Sequence, residues 1–236
     1  MSFVAFEENE PQTYKAALRS PDSDKWKVAI NEELNALDRN NTWTVVDRPP
    51  GRKIVDCRWV FRIKKAADRS IERYKARLVA KGFTQVPGTD FDETFSPVVR
   101  YDSLRLLIAL TAAKNWKPQQ CDIKSAFLYG ELKEEIYMYL PEGSRIDGKV
   151  CRLKKSLYGL KQSPREWHAR LTSFLLPYDF KPTAFDPCVL IHSTKELFIA
   201  IYVDDLSLFG ATGKLMDSTK DLLKSELQVT DLGDLH

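Results

Sequence analysis

The sequence predicts a mixed α+β fold, and three observations support this prediction. Residues 55–64 alternate apolar and polar side chains with a period of two, which is the pattern of a strand with one buried face. Residues 198–210 form an apolar run that two adjacent carboxylates interrupt, as in a hairpin of two short strands. Residues 163–175 carry apolar side chains at helical spacing behind residues that start helices. Strands and helices are therefore mixed along the chain.

The N-terminal part is expected to give one helix and three strands. Residues 1–20 show no period and read as an arm, whereas residues 21–40 open on capping residues and continue at helical spacing. A short strand is expected over residues 42–46, and the alternation of residues 55–64 returns in residues 73–81. We expect the last two strands to pair as a hairpin.

The helices and strands of the remaining chain are predicted from residues that interrupt regular structure and from residues that begin helices. Pro87-Gly88 and Ser96-Pro97 indicate a loop, and Ser163 and Pro164 mark the start of a helix. We expect helices over residues 102–114, 164–175 and 215–227, with Ser163 as the N-cap of the second helix. Strands are expected over residues 116–127, 136–140 and 150–153. Asp122 would lie where the first of these strands ends.

The composition is that of an ordinary globular protein. Of the 236 residues, 43% are hydrophobic and 29% are charged. No apolar run approaches the roughly 20 residues of a membrane span, and the N-terminus leads into acids rather than into a signal region. We therefore expect an intracellular, cytoplasmic protein with no membrane partner.

Cysteine usage argues against two structural devices. The four cysteines are widely separated and form neither a C-x-x-C pair nor a Cys/His cluster: Cys57, Cys121, Cys151 and Cys188. Structural zinc and a disulfide framework are both disfavoured by this spacing.

Positive charge is concentrated in two blocks of a nearly neutral chain. Residues 51–82 hold eleven basic and three acidic side chains, and residues 145–170 hold eight basic and two acidic side chains. Such blocks favour a polyanionic partner, most often nucleic acid. An ordinary solvated strand face is the alternative, but adjacent like charges repel and a polyanion would relieve that repulsion.

Three aspartates are candidates for a metal site. Asp204 and Asp205 lie at the predicted tip of the 198–210 hairpin, where a plain surface turn is the alternative because Asp favours such corners. Two-metal phosphoryl transfer needs carboxylates that hold two ions roughly 4 Å apart. Asp122 could complete the set only if its strand is a neighbour of the hairpin. A metal-dependent phosphoesterase could use the same acids.

Five motifs in order make the chemistry specific. They are RYKARLVAKGFTQ at residues 73–85, TFSPVV at 94–99, DIKSAFL at 122–128, SLYGLKQSP at 156–164 and YVDD at 202–205. Together they resemble the reverse transcriptases of copia-type LTR retrotransposons, which are domains of a Pol polyprotein. The motifs lie between residues 73 and 205 of the 236.

This resemblance implies a fold of fingers and palm, with an antiparallel palm sheet backed by helices and with the thumb missing. The implied division is an N-terminal arm and helix (1–50), fingers (51–101 and 129–158) and palm (102–128 and 159–236). Cys121 departs from the apolar residue that often precedes the metal aspartate. We expect this change to be neutral, since a free cysteine packs as a small hydrophobe.

The resemblance also assigns roles to individual residues. Asp122 and Asp204 would ligate two Mg²⁺ ions, with Mn²⁺ as an alternative, while Asp205 assists and the Ile123 carbonyl joins them. Phe127 would be the steric gate that excludes a ribose 2′-OH. The other implied contacts of the nucleotide are Lys75, Arg77, Lys81, Tyr158 and Gly159.

The implied function is RNA-directed DNA polymerase, with an RNA or DNA template, a primer and dNTPs as partners. The remainder of a Pol polyprotein (thumb, RNase H and integrase) would be a further partner, and an active element would assemble in a virus-like particle. The alternative is a truncated, catalytically weak or inactive reverse-transcriptase fragment that only binds nucleic acid.

Overall fold

The computed structural model describes residues 10–66 and 68–235, so the first nine residues of the expected arm lie outside the described residues. The α-helices are α1 (Tyr14–Arg19), α2 (Ser23–Arg39), α3 (Tyr101–Lys114), α4 (Ser163–Leu175) and α5 (Gly213–Glu226). Short 3-10 turns cover Gly82–Thr84, Ala126–Tyr129 and Leu176–Tyr178.

The strands complete the mixed α+β architecture. In chain order they are β1 (Trp43–Asp47), β2 (Ile54–Val55), β3 (Cys57–Lys65), β4 (Ile71–Ala80), β5 (Gln119–Ile123), β6 (Tyr137–Tyr139), β7 (Lys149–Leu153), β8 (Phe180–Pro182), β9 (Val189–His192), β10 (Leu197–Tyr202), β11 (Asp205–Gly210) and β12 (Val229–Asp234).

The chain divides into two compact units that interleave in sequence. The first unit comprises residues 1–93 and 131–163, and the second comprises residues 94–130 and 164–236. The backbone therefore passes between the units three times.

The first unit contains two sheets. One has the strand order β1-β7-β6-β2, and the other is the hairpin β3–β4. Helix α2 packs along β4, and its Trp26 meets Phe61 and Tyr74 edge to face at 5.2 and 4.7 Å between ring centroids. The apolar face of the hairpin is thus covered by aromatic contacts, which stabilise beyond their buried area.

The second unit is built on one antiparallel sheet in the order β12-β5-β11-β10-β9-β8. Trp167, Leu171 and Leu175 of α4 and Met216 and Leu223 of α5 share a core cluster with one set of strand side chains. Leu107 of α3 packs with Val189, Ala200 and Phe209, which alternate with that set and so lie on the other face. Hairpin β10–β11 is therefore a central element of this unit.

The predicted hairpins β3–β4 and β10–β11 are confirmed. The reading of residues 1–20 as an arm is wrong within its described part, since residues 14–19 form a helix. The strand expected over residues 116–127 is shorter, because Ser125 adopts φ +54 and turns the chain. Strands β8, β9 and β12 were not predicted at all.

Two predicted helix starts differ in detail. Arg100, not Asp102, is the N-cap of α3. The hydroxyl of Ser163 donates to the Leu157 carbonyl at 2.6 Å and accepts from the Leu157 amide at 3.1 Å, so it fastens a loop. In the part of the chain that the structure describes, no helix is both long and apolar enough to cross a membrane.

Candidate active site

The turn of hairpin β10–β11 carries two of the three candidate acids. Tyr202 ends β10 and lies opposite Asp205, which begins β11. Val203 and Asp204 form the two-residue connection between them. Because so short a loop fixes the register of a hairpin, the positions of both half-buried aspartates are set by the backbone.

Asp122 lies directly opposite Asp205 in the pairing of β5 with β11. Residues opposite one another in an antiparallel pair share a face of the sheet and are near neighbours. Gln120, on the same strand as Asp122, has its Nε2 3.4 Å from the Asp205 Oδ1. The strand adjacency that the three-aspartate hypothesis requires is therefore present.

Val203 holds an unusual backbone conformation. Its φ is +58°, in the left-handed region that β-branched residues rarely enter. Such a conformation costs on the order of 1–3 kcal/mol and persists only where the surrounding structure holds it. Strain is therefore stored in the residue that precedes Asp204.

Two hydrogen bonds hold this turn. The indole Nε1 of Trp167 donates to the Val203 carbonyl at 2.7 Å, and the Ile123 amide donates to the Asp204 carbonyl at 2.9 Å. The first bond comes from α4, and the second comes from the end of β5. The turn is thus tied to two separate elements of the second unit.

Sequence reasoning missed this contact of Trp167. The spacing of α4 predicted only that Trp167 packs inward, and it is indeed 1% exposed. A buried indole N–H needs an acceptor, so a tryptophan at a core position was the available signal. Which carbonyl it reaches depends on the packing of α4 against the hairpin.

The chemistry of these acids suits a hard cation. Carboxylate and carbonyl oxygens are the ligands that Mg²⁺ prefers. Across residues 10–66 and 68–235, no three or more His, Cys, Asp or Glu side chains converge into a group that could hold a metal ion. The fit of Asp122, Asp204 and Asp205 to such an ion therefore rests on their donor chemistry and on the register of their strands.

Cys121, beside Asp122, is fully buried in the core cluster. Burial raises the pKa of this thiol to about 11, and the charge of Asp231 adds to the effect. The side chain is therefore a neutral thiol at physiological pH and packs as a hydrophobe.

Phe127 lies on the 3-10 turn that follows β5. Its ring is half-buried and packs against the core cluster of the second unit. Ser125, with φ +54°, directs the chain from β5 into this turn. The hydroxyl of Tyr129 at the end of the turn accepts a hydrogen bond from the Gln228 amide at 2.9 Å, so the turn is anchored.

A cavity of about 320 Å³ adjoins Val203. Its lining residues are Thr94, Ser96, Pro97, Val98, Pro164, Trp167, His168, Ile201 and Val203. Burial lowers the pKa of His168, which favours the neutral imidazole, so the lining is uncharged at neutral pH. Val203 therefore borders open space on this side.

The cationic face predicted for the first unit is present. In the register of β3 with β4, Arg62 lies opposite Lys75 and Lys64 lies opposite Arg73. Arg58 and Arg77 share that face by the same alternation. Like charges directly opposite one another destabilise a hairpin, so this face suits an anionic partner.

Acidic side chains neutralise part of this charge. Glu10 pairs with Arg62, and Glu32 pairs with Arg73 at 2.8 Å. Lys81 pairs with Asp56, and the Lys81 amide also donates to the Asp56 carbonyl at 2.7 Å. Burial acts to raise the pKa of Asp56, but the hydrogen bonds of Lys81 and of its own neighbour outweigh burial and lower that pKa.

Arg77 and Tyr158 are brought together. The guanidinium of Arg77 lies 4.5 Å from the centroid of the Tyr158 ring, a cation–π contact. The Ala80 amide donates to the Tyr158 carbonyl at 2.7 Å. Gly159 has φ +91°, and a Cβ there would lie 2.1 Å from the Ala80 carbonyl oxygen. Only glycine permits this close approach.

The candidate residues thus fall into two groups. Asp122, Ile123, Phe127, Asp204 and Asp205 belong to the second unit. The candidate nucleotide contacts Lys75, Arg77, Lys81, Tyr158 and Gly159 belong to the first unit. Each group therefore lies within a single unit.

Comparison with known proteins identifies related chains. The family model described as reverse transcriptase (RNA-dependent DNA polymerase) matches residues 40–236. The chain is 42% identical over 233 residues to the retrovirus-related Pol polyprotein from transposon TNT 1-94 of Nicotiana tabacum, covering 96% of this chain and 18% of that protein. The corresponding polyprotein from transposon RE1 of Arabidopsis thaliana is 40% identical, with 97% and 16% covered.

A yeast relative is more distant. The transposon Ty1-NL2 Gag-Pol polyprotein of Saccharomyces cerevisiae is 33% identical over 204 residues, covering 86% of this chain and 11% of that protein. The chain thus spans less than a fifth of the length of the relatives that it matches.

Proposed function

We propose that this chain is a polymerase core that adds dNTPs to a primer 3′-OH. The chain belongs to the family of copia-type reverse transcriptases (RNA-dependent DNA polymerases). The observation that carries the proposal is the direct pairing of Asp122 with Asp205 next to the Val203-Asp204 turn. This arrangement gathers the acids of two distant motifs at neighbouring strand ends.

The proposed metal site uses side chains of the second unit only. Asp122 and Asp204 would hold two Mg²⁺ ions, with Mn²⁺ as a substitute, while the Ile123 carbonyl contributes and Asp205 assists. When bound, the ions would activate the attacking 3′-oxygen and stabilise the leaving oxygen. The chain's own part is to fix the carboxylates, which it does through β5, β11 and the two hydrogen bonds at the turn.

The nucleotide contacts are proposed for the first unit. The cations proposed to face the triphosphate are Lys75 and Arg77 on β4 and Lys81 just after it. Lysine and arginine side chains form strong, charge-assisted hydrogen bonds with phosphate oxygens. Arg77 is preorganised by its contact with Tyr158. Tyr158 and Gly159 would line the site of the nucleotide and the template. Lys81 would exchange its ion pair with Asp56 for a phosphate contact.

We further propose that the first unit corresponds to the fingers and the second unit to the palm. The antiparallel sheet of the second unit, with α4 and α5 on one face, is consistent with a palm. The boundaries of the units, after residues 93, 130 and 163, lie close to the divisions expected from the resemblance. The thumb, RNase H and integrase of a Pol polyprotein are proposed partners.

Primer extension on an RNA template tests the polymerase proposal. Asp204→Asn keeps the size of the side chain but removes its charge, so we expect extension to fall by at least about 1000-fold, as loss of a metal contact worth several kcal/mol implies. Asp221→Asn, at an exposed position of α5, is the matched control and should extend normally. Unchanged activity of Asp204→Asn would reject the metal-site assignment.

The gate role of Phe127 has its own test. Phe127→Ala should raise incorporation of ribonucleotides relative to dNTPs, because a bulky ring would no longer exclude the 2′-OH. Phe185→Ala, at an 87% exposed position of the same unit, is the control. If the ratio of dNTP to rNTP incorporation stays the same in Phe127→Ala, Phe127 is not the gate.

A second candidate function is nucleic-acid binding without synthesis. The cationic face of β3–β4 favours it, since phosphate contacts do not require a complete polymerase. This function predicts salt-sensitive binding of a primer–template without extension products. The extension assay therefore separates the two candidates.

A further inference from the structure

The turn that carries Asp204 is poorly held by side-chain packing. Val203 adopts φ +58°, which glycine enters freely and valine does not. Val203 is half-buried and lines the 320 Å³ cavity, so it is not packed on all sides. The pairing of Tyr202 with Asp205 closes the turn from within the hairpin, and a hydrogen bond from another element would add to its hold on this strained conformation.

Trp167 supplies that interaction from a rigid position. Its ring is 1% exposed, belongs to the main core cluster of the second unit and lies 6.0 Å from the Tyr129 ring centroid. From there Nε1 donates to the Val203 carbonyl at 2.7 Å, which is a short, strong bond for an N–H donor. Any large apolar residue could fill the core position, but only tryptophan also provides this donor.

The same turn fixes the two aspartates. The carbonyl of Asp204 accepts from the Ile123 amide at 2.9 Å, and Ile123 follows Asp122 directly. A change at the Val203 carbonyl can therefore reach Asp122 through the backbone of Asp204 and one hydrogen bond to the peptide group that joins Asp122 to Ile123. This short route links α4 to both candidate metal-binding strands.

We infer that Trp167 is a positioning residue: its indole N–H holds the Val203-Asp204 turn in the left-handed form and thereby sets the place of Asp204 relative to Asp122. The importance of this role for synthesis rests on the proposed polymerase function. The hydrogen-bonding role itself does not, and it has a separate readout.

The first measurement is amide hydrogen exchange in the full chain without metal or nucleic acid. The Ile123 amide reports the turn, and the Ile201 amide, which donates to the Cys188 carbonyl at 2.8 Å, is an internal reference in the same sheet. Trp167→Phe keeps a ring but removes the donor, so exchange at Ile123 should accelerate about tenfold relative to Ile201. Trp116→Phe, elsewhere in the unit, should not change this ratio.

Rescue by Val203→Gly separates positioning from packing. Glycine adopts φ +58° without strain, so the double variant Trp167→Phe/Val203→Gly should return the Ile123 to Ile201 ratio to within about twofold of the Val203→Gly variant. A purely packing role predicts the opposite, because glycine removes still more side chain. If Trp167→Phe does not fold, recovery of a folded double variant supports the inference.

Several results would overturn it. These are equal acceleration at both amides, an additive effect of the two substitutions, or a double variant that remains unfolded after Trp167→Phe has unfolded the chain. Each would mean that the indole N–H does not hold the turn.

The second measurement is Mn²⁺ binding, followed by electron paramagnetic resonance. Trp167→Phe should weaken Mn²⁺ binding about five- to tenfold, and Val203→Gly should reverse most of that loss. If the unaltered chain binds no Mn²⁺ or extends no primer, the proposed function fails. The exchange ratios still decide the role of Trp167, so the two failures are distinguishable.

Discussion

Hairpins β3–β4 and β10–β11 carry their candidate functional residues in opposite ways. In β3–β4 the charges are spread over one whole face, and two of the cations, Arg62 and Arg73, are paired with Glu10 and Glu32. In β10–β11 the charges are concentrated at a two-residue turn whose backbone is strained and tied by hydrogen bonds.

The difference shows two ways to build an electrostatic site. A face of separate cations depends on the sum of many contacts, so it tolerates the loss of one. A turn that places two acids depends on backbone position, so the local substitution of one residue can displace the site. Substitutions that alter the backbone or buried charges should therefore have larger effects than substitutions on the cationic face.

The largest loss of stability is expected from substitution of Gly159, which packs closely against the Ala80 carbonyl at the end of β4. In Gly159→Ala, the new Cβ would overlap the Ala80 carbonyl oxygen and the positive φ would be strained, so we expect a loss of about 3–5 kcal/mol in the free energy of unfolding. Gly148→Ala is the control, since φ is +72° there but nothing lies within 4 Å, and it should lose about 1 kcal/mol. Equal losses in urea unfolding would contradict the close-approach explanation.

An ion pair between the buried Lys220 and the partly exposed Asp231 should give the next largest loss of stability. The Lys220 Nζ lies 2.7 Å from the Asp231 Oδ2, and the Lys220 side chain is only 4% exposed. Asp231→Asn leaves a buried ammonium without this partner and should cost about 2 kcal/mol, less than for a fully buried pair because Asp231 is partly exposed. Asp234→Asn serves as the control on the same strand, and chemical unfolding at pH 7 measures both.

The same pair predicts a pH dependence. The hydrogen bond from Lys220 lowers the pKa of Asp231 below its ordinary value of 3.8. The stability that ionised Asp231 contributes is therefore complete above pH 3.8 and is lost as the pH falls through the lowered pKa. The acid-induced loss of stability should be smaller in Asp231→Asn, and an identical pH profile would show that the pair is not coupled to folding.

Replacement of Glu33, which is buried beneath β4, should change the free energy of unfolding by a smaller amount and should increase it. Burial raises the pKa of Glu33, although the Leu78 amide and the charges of Arg77 and Lys75 oppose the shift. Stability from this carboxyl is present below its ordinary pKa of 4.5 and is lost as the pH rises through the raised value. Glu33→Gln should therefore be more stable than the unaltered chain at pH 7.

The amide side chain introduced by Glu33→Gln would still offer an oxygen to the Leu78 amide, which donates to the Glu33 Oε1 at 3.1 Å in the unaltered chain. The gain should shrink as the pH approaches 4.5, in thermal unfolding across that range. Glu32→Gln, at a half-exposed neighbouring position, should show no such trend. A pH-independent gain would mean that ionisation of Glu33 is not its source.

The smallest effect is expected on the cationic face. Lys64→Gln removes a cation that lies opposite Arg73, so stability should change by less than about 0.5 kcal/mol. Binding of a primer–template should weaken by a few fold, and the slope of log affinity against log salt should fall by about one. Lys195→Gln, in the second unit, is the control; an equal change in its slope would argue against a specific role of this face.

Local pattern was sufficient for the elements that carry strong periodicity. Strands β3 and β4 were predictable because one face is apolar and the other cationic, and α5 because its leucines repeat at helical spacing. Strand β12 contains Asp231, Gly233 and Asp234 and has no such pattern. It forms only because β5 offers it an edge to pair with, which is information from tertiary structure.

The site was predictable in its residues but not in its geometry. Motifs identified Asp122 and the Asp204-Asp205 pair, whereas their register depends on the pairing of strands that are far apart in sequence. The positive φ of Val203 runs against the preference of a β-branched residue, so local propensity pointed away from it. The hydrogen bond of Trp167 could be predicted only as a need for some acceptor.

The interleaving of the two units has a consequence for synthesis on the ribosome. The first unit needs residues 131–163 as well as its N-terminal part, and the second needs residues 94–130 together with everything after 163. Residues 94–130 are therefore synthesised before either unit is complete, and the segments that they pair with are synthesised later. Because β5 lies in that segment and pairs with β11 and β12, the Asp122 strand is made early but gains its neighbours last.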